Sequence, residues 1–237
     1  MEEIMKKGFS DLGIDLNENQ MNQFMIYKNL LLEWNEKMNL TAIEDERDIV
    51  IKHFIDSISC LKVKGFDKIN RLIDVGTGAG FPGIPIKIME PNIELTLLDA
   101  LNKRVTFLKE VCKETSLVKV DFLHGRAEDF GRLDDFRESY DAAVSRAVAS
   151  LNVLVEYCMP FIKVGGIFIC QKGPQVEDEM ASSKKAIEVL GGKVVEKLEI
   201  SLPLSDIKHK IVVIEKVKPT PTKYPRKAGK PTKSPII

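Results

Sequence analysis

The chain has 237 residues with 35 Lys and Arg against 35 Asp and Glu, 44% hydrophobic and 30% charged, the make-up of a soluble globular protein with room for one large α/β domain and an appendage. No apolar run approaches the length of a membrane span, and Met1-Glu2-Glu3-Ile4-Met5-Lys6-Lys7 lacks the apolar core of a signal peptide, so the expectation is a cytoplasmic protein with no membrane partner. Cys60, Cys112, Cys158 and Cys170 are far apart in apolar segments, and His53, His124 and His209 are equally scattered, which argues for buried thiols and no metal site.

Residues 1–65 read as a helical subdomain. Asn17 and Gln20 have the spacing of a capping box, and Met21, Phe24, Met25, Leu31 and Trp34 recur at roughly helical intervals, as core or interface positions do. Two polar pieces interrupt it, Trp34-Asn35 with Asn39-Leu40-Thr41, and His53-Phe54-Ile55-Asp56-Ser57; they suit either helix capping or the lining of a cleft.

The second unit, residues 66–217, opens on the stretch around which the chain is organised, Arg71-Leu72-Ile73-Asp74-Val75-Gly76-Thr77-Gly78-Ala79-Gly80-Phe81-Pro82-Gly83. A β-favouring run passes into alternating glycines and then an amphipathic segment, a strand, tight loop and helix. Glycine is required where backbone turns sharply or must approach a ligand without a Cβ between them, and a helix N-terminus adds N–H donors. Strands are expected at 71–75, 94–99, 118–123, 140–145 and 166–171. Helices are expected to begin near Phe81, Asn102, Glu128 and Ser150, and a last one to run from Val176 to Leu190 before Gly191-Gly192. Two further strands, 193–201 and 209–217, are close enough to pair antiparallel. The fold expected is a Rossmann-like seven-stranded, mostly parallel sheet with one antiparallel strand at its end.

Read from Gly78, the loop satisfies the dinucleotide pattern G-x-G-x-x-G (Gly78, Gly80, Gly83), which keeps a nicotinamide-dependent oxidoreductase open. Read from Asp74 it is D-x-G-x-G-x-G, which resembles the S-adenosylmethionine loop of Rossmann-like methyltransferases. In that family the strand-end acid, here Asp74, helps orient the methionine end of the ligand. Asp99, closing the next apolar run, stands where a carboxylate can hold two ribose hydroxyls. Seven strands with an antiparallel pair favour S-adenosylmethionine over a nicotinamide cofactor. After the fourth strand, Asp141-Ala142-Ala143-Val144 continues into Ser145-Arg146-Ala147 and not into the N/D-P-P-Y of exocyclic-amine methylation, and no Pro-Cys nucleophile for carbon methylation occurs. What remains is an acceptor that is already nucleophilic, such as guanine N7, which needs alignment but no general base.

Taken in order, Asp74 to Pro85, Leu98-Asp99-Ala100 with Lys103-Arg104, Gly125-Arg126-Ala127-Glu128, Ser145-Arg146-Ala147, Lys172-Gly173 and Tyr224-Pro225-Arg226, with Asn39-Leu40-Thr41 and His53 to Ser57, resemble the small-subunit ribosomal RNA methyltransferase G family, also called glucose-inhibited division protein B. The resemblance implies methyl transfer from S-adenosylmethionine to N7 of a guanosine in the decoding-region loop of 16S rRNA, with 16S rRNA or the small subunit as partner and no obligate protein partner. It implies a ligand site at Gly76, Gly78, Gly80 and Phe81, with Asp99 and Ala100 for the ribose, Ala127 and Glu128 for the adenine edge, and Arg146 nearest the departing methyl in a positioning role, so that no catalytic residue is assigned.

Lys103, Arg104, Arg126, Arg146 and Lys172 follow strand ends, the edge where ligands bind, and are expected to hold RNA. Residues 216–237 hold seven cations and no acid, leaving the body at −7. The tail, 218–237, reads as a structureless basic arm in which Tyr224, Arg226 and Lys227 lie along phosphates. Its deletion is expected to flatten the salt dependence of rRNA binding and to leave donor affinity nearly intact. A non-catalytic RNA-binding module stays open beside the enzyme, although such a module has no need of three loop glycines and two strand-end acids.

Overall fold

The computed structural model describes residues 1–146, 149–173 and 176–237; Ala147 of the Ser145-Arg146-Ala147 motif lies outside the described residues. The N-terminal segment supplies α1 (Glu2–Asp11), α2 (Glu18–Met38) and a continuous helical stretch from α3 (Glu46–Ile49) through a π-helical turn, Val50–Ile55, into α4 (Asp56–Ile58). The capping box forms: Asn17 Oδ1 accepts from the Gln20 N–H at 2.8 Å, and Gln20 Oε1 accepts from the Asn17 N–H at 3.0 Å.

Strands β1 (Arg71–Val75), β2 (Glu94–Asp99), β3 (Val120–His124), β4 (Tyr140–Arg146), β5 (Ile162–Lys172), β6 (Gly192–Ser201) and β7 (Lys208–Lys216) form a seven-stranded sheet in the order β3-β2-β1-β4-β5-β7-β6. Only β7 runs against its neighbours, β5 and β6. The interleaved helices are α5 (Gly83–Met89), α6 (Asn102–Glu114), α7 (Ala127–Phe130), α8 (Leu151–Cys158) and α9 (Val176–Val189), with a short α10 (Lys230–Lys233) in the tail. Order reverses between β1 and β4, where a doubly wound sheet opens its ligand crevice at the carboxyl ends of the strands.

Strand β5 starts four residues before the expected position. Its pairing with β4 jumps from Tyr140↔Ile162 to Ala142↔Ile167, a bulge that takes in Gly165 at φ +89°. A Cβ on Gly166 would stand 2.4 Å from the Asp141 carbonyl, so the backbones lie too close for any other residue. The run Lys163-Val164-Gly165-Gly166 carries no strand signal because the bulge needs glycine where a strand needs side chains.

Each face of the sheet buries its own core. Helices α1, α2, α5 and α6 join the π-turn segment in one cluster, with Phe9, Phe24, Tyr27, Leu31 and Phe54 fully buried in it; α8 and α9 cover the other face through Leu154, Val155 and Ala186, joined by Phe161 of the turn that follows α8. The N-terminal helices thus share a core with the sheet's own helices α5 and α6.

The tail is not a free arm. Tyr224 and Ile236 pack against the second cluster, Pro225 and Pro231 are buried, and Arg137 donates to the carbonyls of Thr220 (2.7 Å) and Tyr224 (2.9 Å). Its order comes from polar partners distant in sequence, which is why a segment without hydrophobic periodicity read as structureless.

Candidate functional site

The site is built from the loop after β1. Gly76, Gly78 and Gly80 have φ of +72°, +63° and +103°, a left-handed backbone that L-residues enter at a cost. Asp74 turns this loop from behind. Fully buried, its Oδ2 accepts from Thr77 Oγ1 (2.7 Å) and from the Gly83 N–H (2.8 Å), tying both ends of the glycine run to the strand. Burial lifts its pKa to about 7 against these hydrogen bonds. Expected beside the ligand, Asp74 does not line the cleft; it is the brace of the loop.

The loop's other face is open. A Cβ on Gly78 would meet nothing within 4 Å, and its N–H donates to Asp99 Oδ2 at 2.9 Å. Asp99 Oδ1 accepts from the Leu101 N–H (2.9 Å), and Arg104 approaches Oδ2 at 3.4 Å. Gly76, Gly78, Asp99, Ala100, Phe81, Arg104 and Arg146 line a cleft of about 420 Å³, closed on its far side by Leu40, Thr41 and His53 of the N-terminal segment. A second pocket of about 190 Å³ shares the rim Gly76-Asp99-Ala100 and continues between Val75, Leu98, Ala127, Glu128, Arg126 and Tyr157. Together they form a trough along the carboxyl edge of β1, β2 and β3, a small apolar chamber leading into a larger one of mixed lining.

Helix α2 locks the loop from outside. Tyr27 donates its hydroxyl to the Ala79 carbonyl, and burial holds the phenol well above its ordinary pKa, so it remains a donor. Its ring stacks on Phe81 (5.3 Å, 21°), and the His53 imidazole stacks on Phe81 as well (4.4 Å, 16°). The Arg146 guanidinium lies over the same ring, 5.0 Å from its centre.

Arg146 is held by three partners: Asp56 Oδ2 (2.7 Å), the Lys52 carbonyl (3.0 Å) and His53 Nδ1 (3.0 Å). A guanidinium can only donate, so Nδ1 accepts and the hydrogen of neutral His53 sits on Nε2, which donates to Thr41 Oγ1 at 3.0 Å. Burial and then the Arg146 charge push the His53 pKa down to about 3. Burial works against ionisation of Asp56, but His209, with Nδ1 2.9 Å from Oδ1, and Arg146 outweigh it and hold the carboxyl below its ordinary value. The π-turn at Val50–Ile55 is what presents Lys52, His53 and Asp56 to one guanidinium. A third pocket of about 350 Å³ lies against Arg146, lined by Asp56, Gln171, Lys172, Glu179 and His209.

The cations expected on RNA have different surroundings. Lys103 and Arg126 are exposed, and Lys103 Nζ donates to the Met38 carbonyl (2.7 Å); Arg104 faces the cleft. Lys172 is turned inward, its side chain 8% exposed and paired with Glu179 at 2.8 Å. In the tail Lys227 is exposed, Tyr224 is half-buried, and Arg226 grips the buried Glu156 (Nη2 to Oε2, 2.6 Å). Sequence reading missed Tyr27, which passes for one more apolar position of an amphipathic helix, and Glu156, on an apolar helix far from its partner. Among the described residues no His, Cys, Asp and Glu cluster suits a metal ion, and burial raises the Cys112 and Cys170 thiols to about 12.

Residues 20–205 match the GidB family model, described as rRNA small subunit methyltransferase G. The chain is 62% identical over 236 residues to Ribosomal RNA small subunit methyltransferase G of Alkaliphilus oremlandii, covering 100% of this chain and 99% of that one, and 54% identical over 234 residues to the protein of that name in Clostridium tetani, covering 99% and 98%. Among solved structures the fold is similar to Atu636 of Agrobacterium tumefaciens, described as a predicted O-methyltransferase, with TM-score 0.54 at 17% identity over 69% of this chain and 81% of that one. It is similar also to TrmN of Thermus thermophilus, with TM-score 0.52 at 16% identity over 68% and 48%. With a methyltransferase sheet, a glycine-loop cleft at its switch point and these relatives along its whole length, the chain belongs to the rRNA small subunit methyltransferase G (GidB) family and is a methyltransferase, not a nicotinamide oxidoreductase.

Proposed function

We propose that the protein transfers a methyl group from S-adenosylmethionine to N7 of a guanosine in the decoding-region loop of 16S rRNA, acting in the cytoplasm on the rRNA or the small subunit. The residues present fit such a donor. Gly78 leaves open space where any side chain would intrude, Asp99 offers a carboxylate beside it, and the two pockets joined at Gly76, Asp99 and Ala100 match a nucleoside with an amino-acid arm. When bound, S-adenosylmethionine supplies an electrophilic sulfonium methyl.

The observation that carries the acceptor is the state of His53. It is the imidazole that lines the cleft, its Nδ1 accepts from Arg146 and its Nε2–H donates to Thr41, so it has no lone pair to take a proton. The imidazole of this cleft therefore orients and does not serve as a base, which suits guanine N7, whose in-plane lone pair is free at neutral pH. Gly76 and Gly78 line the donor chamber, Gly80 turns the loop behind it against Tyr27 and Ile84, and Asp99 takes the ribose hydroxyls. Ala127 and Glu128 meet the adenine edge, while Phe81, stacked between Tyr27 and His53, forms a rigid floor under Arg146. Held by Asp56 and His53, Arg146 presents a fixed cation to an anionic group of donor or RNA without touching the attacking nitrogen. Lys103, Arg104 and Arg126 line the same edge and lead a loop guanosine toward it; N7 in paired RNA faces a major groove too narrow to enter. The family names of the relatives support rRNA as the acceptor.

The test is transfer of labelled methyl from S-adenosylmethionine to small subunits and to bare 16S rRNA from a strain lacking this gene, followed by nucleoside analysis. A 7-methylguanosine product is the expected result. Another methylated nucleoside would overturn the N7 reading, and absence of donor binding would overturn the whole.

A further inference from the structure

The C-terminal tail holds the side chains that wall the smaller pocket. Arg226 makes three side-chain hydrogen bonds to Glu156 of α8, Nε to Oε1 (2.9 Å), Nε to Oε2 (3.1 Å) and Nη2 to Oε2 (2.6 Å), and its backbone N–H adds a fourth to Oε1 (2.8 Å). Glu156 is fully buried, so Arg226 neutralises a charge that has no access to water. The next residue on α8, Tyr157, hydrogen-bonds Thr232 of the tail (2.9 Å), and the Gly229 N–H donates to Glu128 Oε1 (2.8 Å). Glu128 and Tyr157 both line the pocket of about 190 Å³, and Glu128 Oε2 has no hydrogen-bond partner among the described residues.

We propose that residues 224–233 are a strap that sets the adenine-side wall of the donor site, so that docking of the tail and binding of the methyl donor are thermodynamically coupled. The proposal rests on reading that pocket as part of the donor site. Arg226 clamps the strap to α8; Gly229 occupies one oxygen of Glu128 and so orients the other; Thr232 fixes the Tyr157 phenol at the pocket's edge. Gly229 has φ +81°, which lets the chain turn its N–H inward there. The strap's outer face carries the exposed Lys227, Lys230 and Lys233. An anionic strand lying on these cations holds the strap closed and thereby raises donor affinity, and by reciprocity a bound donor tightens the hold on the strand. On this proposal removing the tail weakens donor binding, where the sequence led to the expectation that donor affinity is spared.

The experiment uses the full chain. Calorimetric titration of Arg226→Ala with S-adenosylmethionine should show roughly fivefold weaker binding or more, within the usual range of such couplings, with the KM for the donor raised and kcat little changed; Thr232→Val should shift in the same direction by less. In the unaltered protein, saturating S-adenosylmethionine should slow hydrogen exchange of the amides of residues 226–232, a readout that does not depend on any variant folding. A folded Arg226→Ala protein with unaltered donor affinity, or tail exchange indifferent to bound donor, would overturn the strap. Failure of the unaltered protein to bind S-adenosylmethionine would instead overturn the donor-site reading itself.

Discussion

At the scale of single residues, two glycines of one loop have separable duties. A Cβ on Gly80, at φ +103°, would stand 2.5 Å from the Tyr27 hydroxyl and 2.7 Å from Ile84 Cδ1, whereas one on Gly78 enters open space. Gly80→Ala should therefore destabilise the fold by about 3 kcal/mol or more, combining backbone strain with overpacking, while Gly78→Ala should cost about 1 kcal/mol and act on donor affinity. Urea denaturation beside donor titration separates them; equal losses of stability would refute the assignment. Asp74 and His53 make opposite contributions to pH dependence. Asp74, lifted to about 7 by burial, binds its proton more tightly folded than unfolded, so its contribution to stability falls as pH rises from about 4 to about 7. His53, pushed down to about 3, is neutral when folded and protonated when unfolded below about 6.5, so its contribution rises from about pH 3 to about pH 6.5. The two slopes offset each other. Asp74→Asn keeps an acceptor for Thr77 and Gly83 and removes one slope, so urea midpoints between pH 4.5 and 6.5, about where both groups titrate, should climb more steeply than in the unaltered protein.

At the scale of elements, α2 is tied to the glycine loop by one hydroxyl. Tyr27→Phe preserves the stack on Phe81 and leaves the Ala79 carbonyl, which Tyr27 caps in a buried setting, without its donor. The expected loss is about 1–3 kcal/mol of stability in thermal unfolding, with donor binding weakened by roughly tenfold as the loop loosens. Unchanged donor affinity would mean the helix supports the fold only. The elements themselves were legible in sequence where local pattern and tertiary environment agree. Strands β1, β2 and β4 are apolar runs ended by turn residues, and Asn17 with Gln20 announced the start of α2. Strand β5 was not fully legible, because its first residues are admitted to the sheet by a glycine bulge whose requirement lies in the neighbouring backbone of β4.

At the scale of the whole molecule, charge is divided between an acidic body and a basic tail, and only part of the tail's charge is free. Arg226 is consumed by Glu156, whereas Lys227, Lys230 and Lys233 are exposed. Replacing Lys227 and Lys230 with Ala should lower the slope of log K against log salt for rRNA binding by roughly 0.7 for each phosphate left without its lysine, measured by filter binding across a salt series. An unchanged slope would remove these lysines from the RNA surface. What the sequence alone determined is the class of fold, the glycine loop with its strand-end acids, and the family, because each rests on residues close in the chain whose spacing states its own geometry. What only the tertiary structure decided is how those residues are divided between chemistry and support. Asp74 braces the loop it was expected to serve, Tyr27 locks that loop from 52 residues away, Asp56 and His53 hold Arg146 from across the core, and the tail hydrogen-bonds two residues that line a pocket. All but the Asp74 brace, which is local, join residues far apart in the chain, and a hydrogen bond between such residues leaves no periodicity or spacing in the sequence by which to read it.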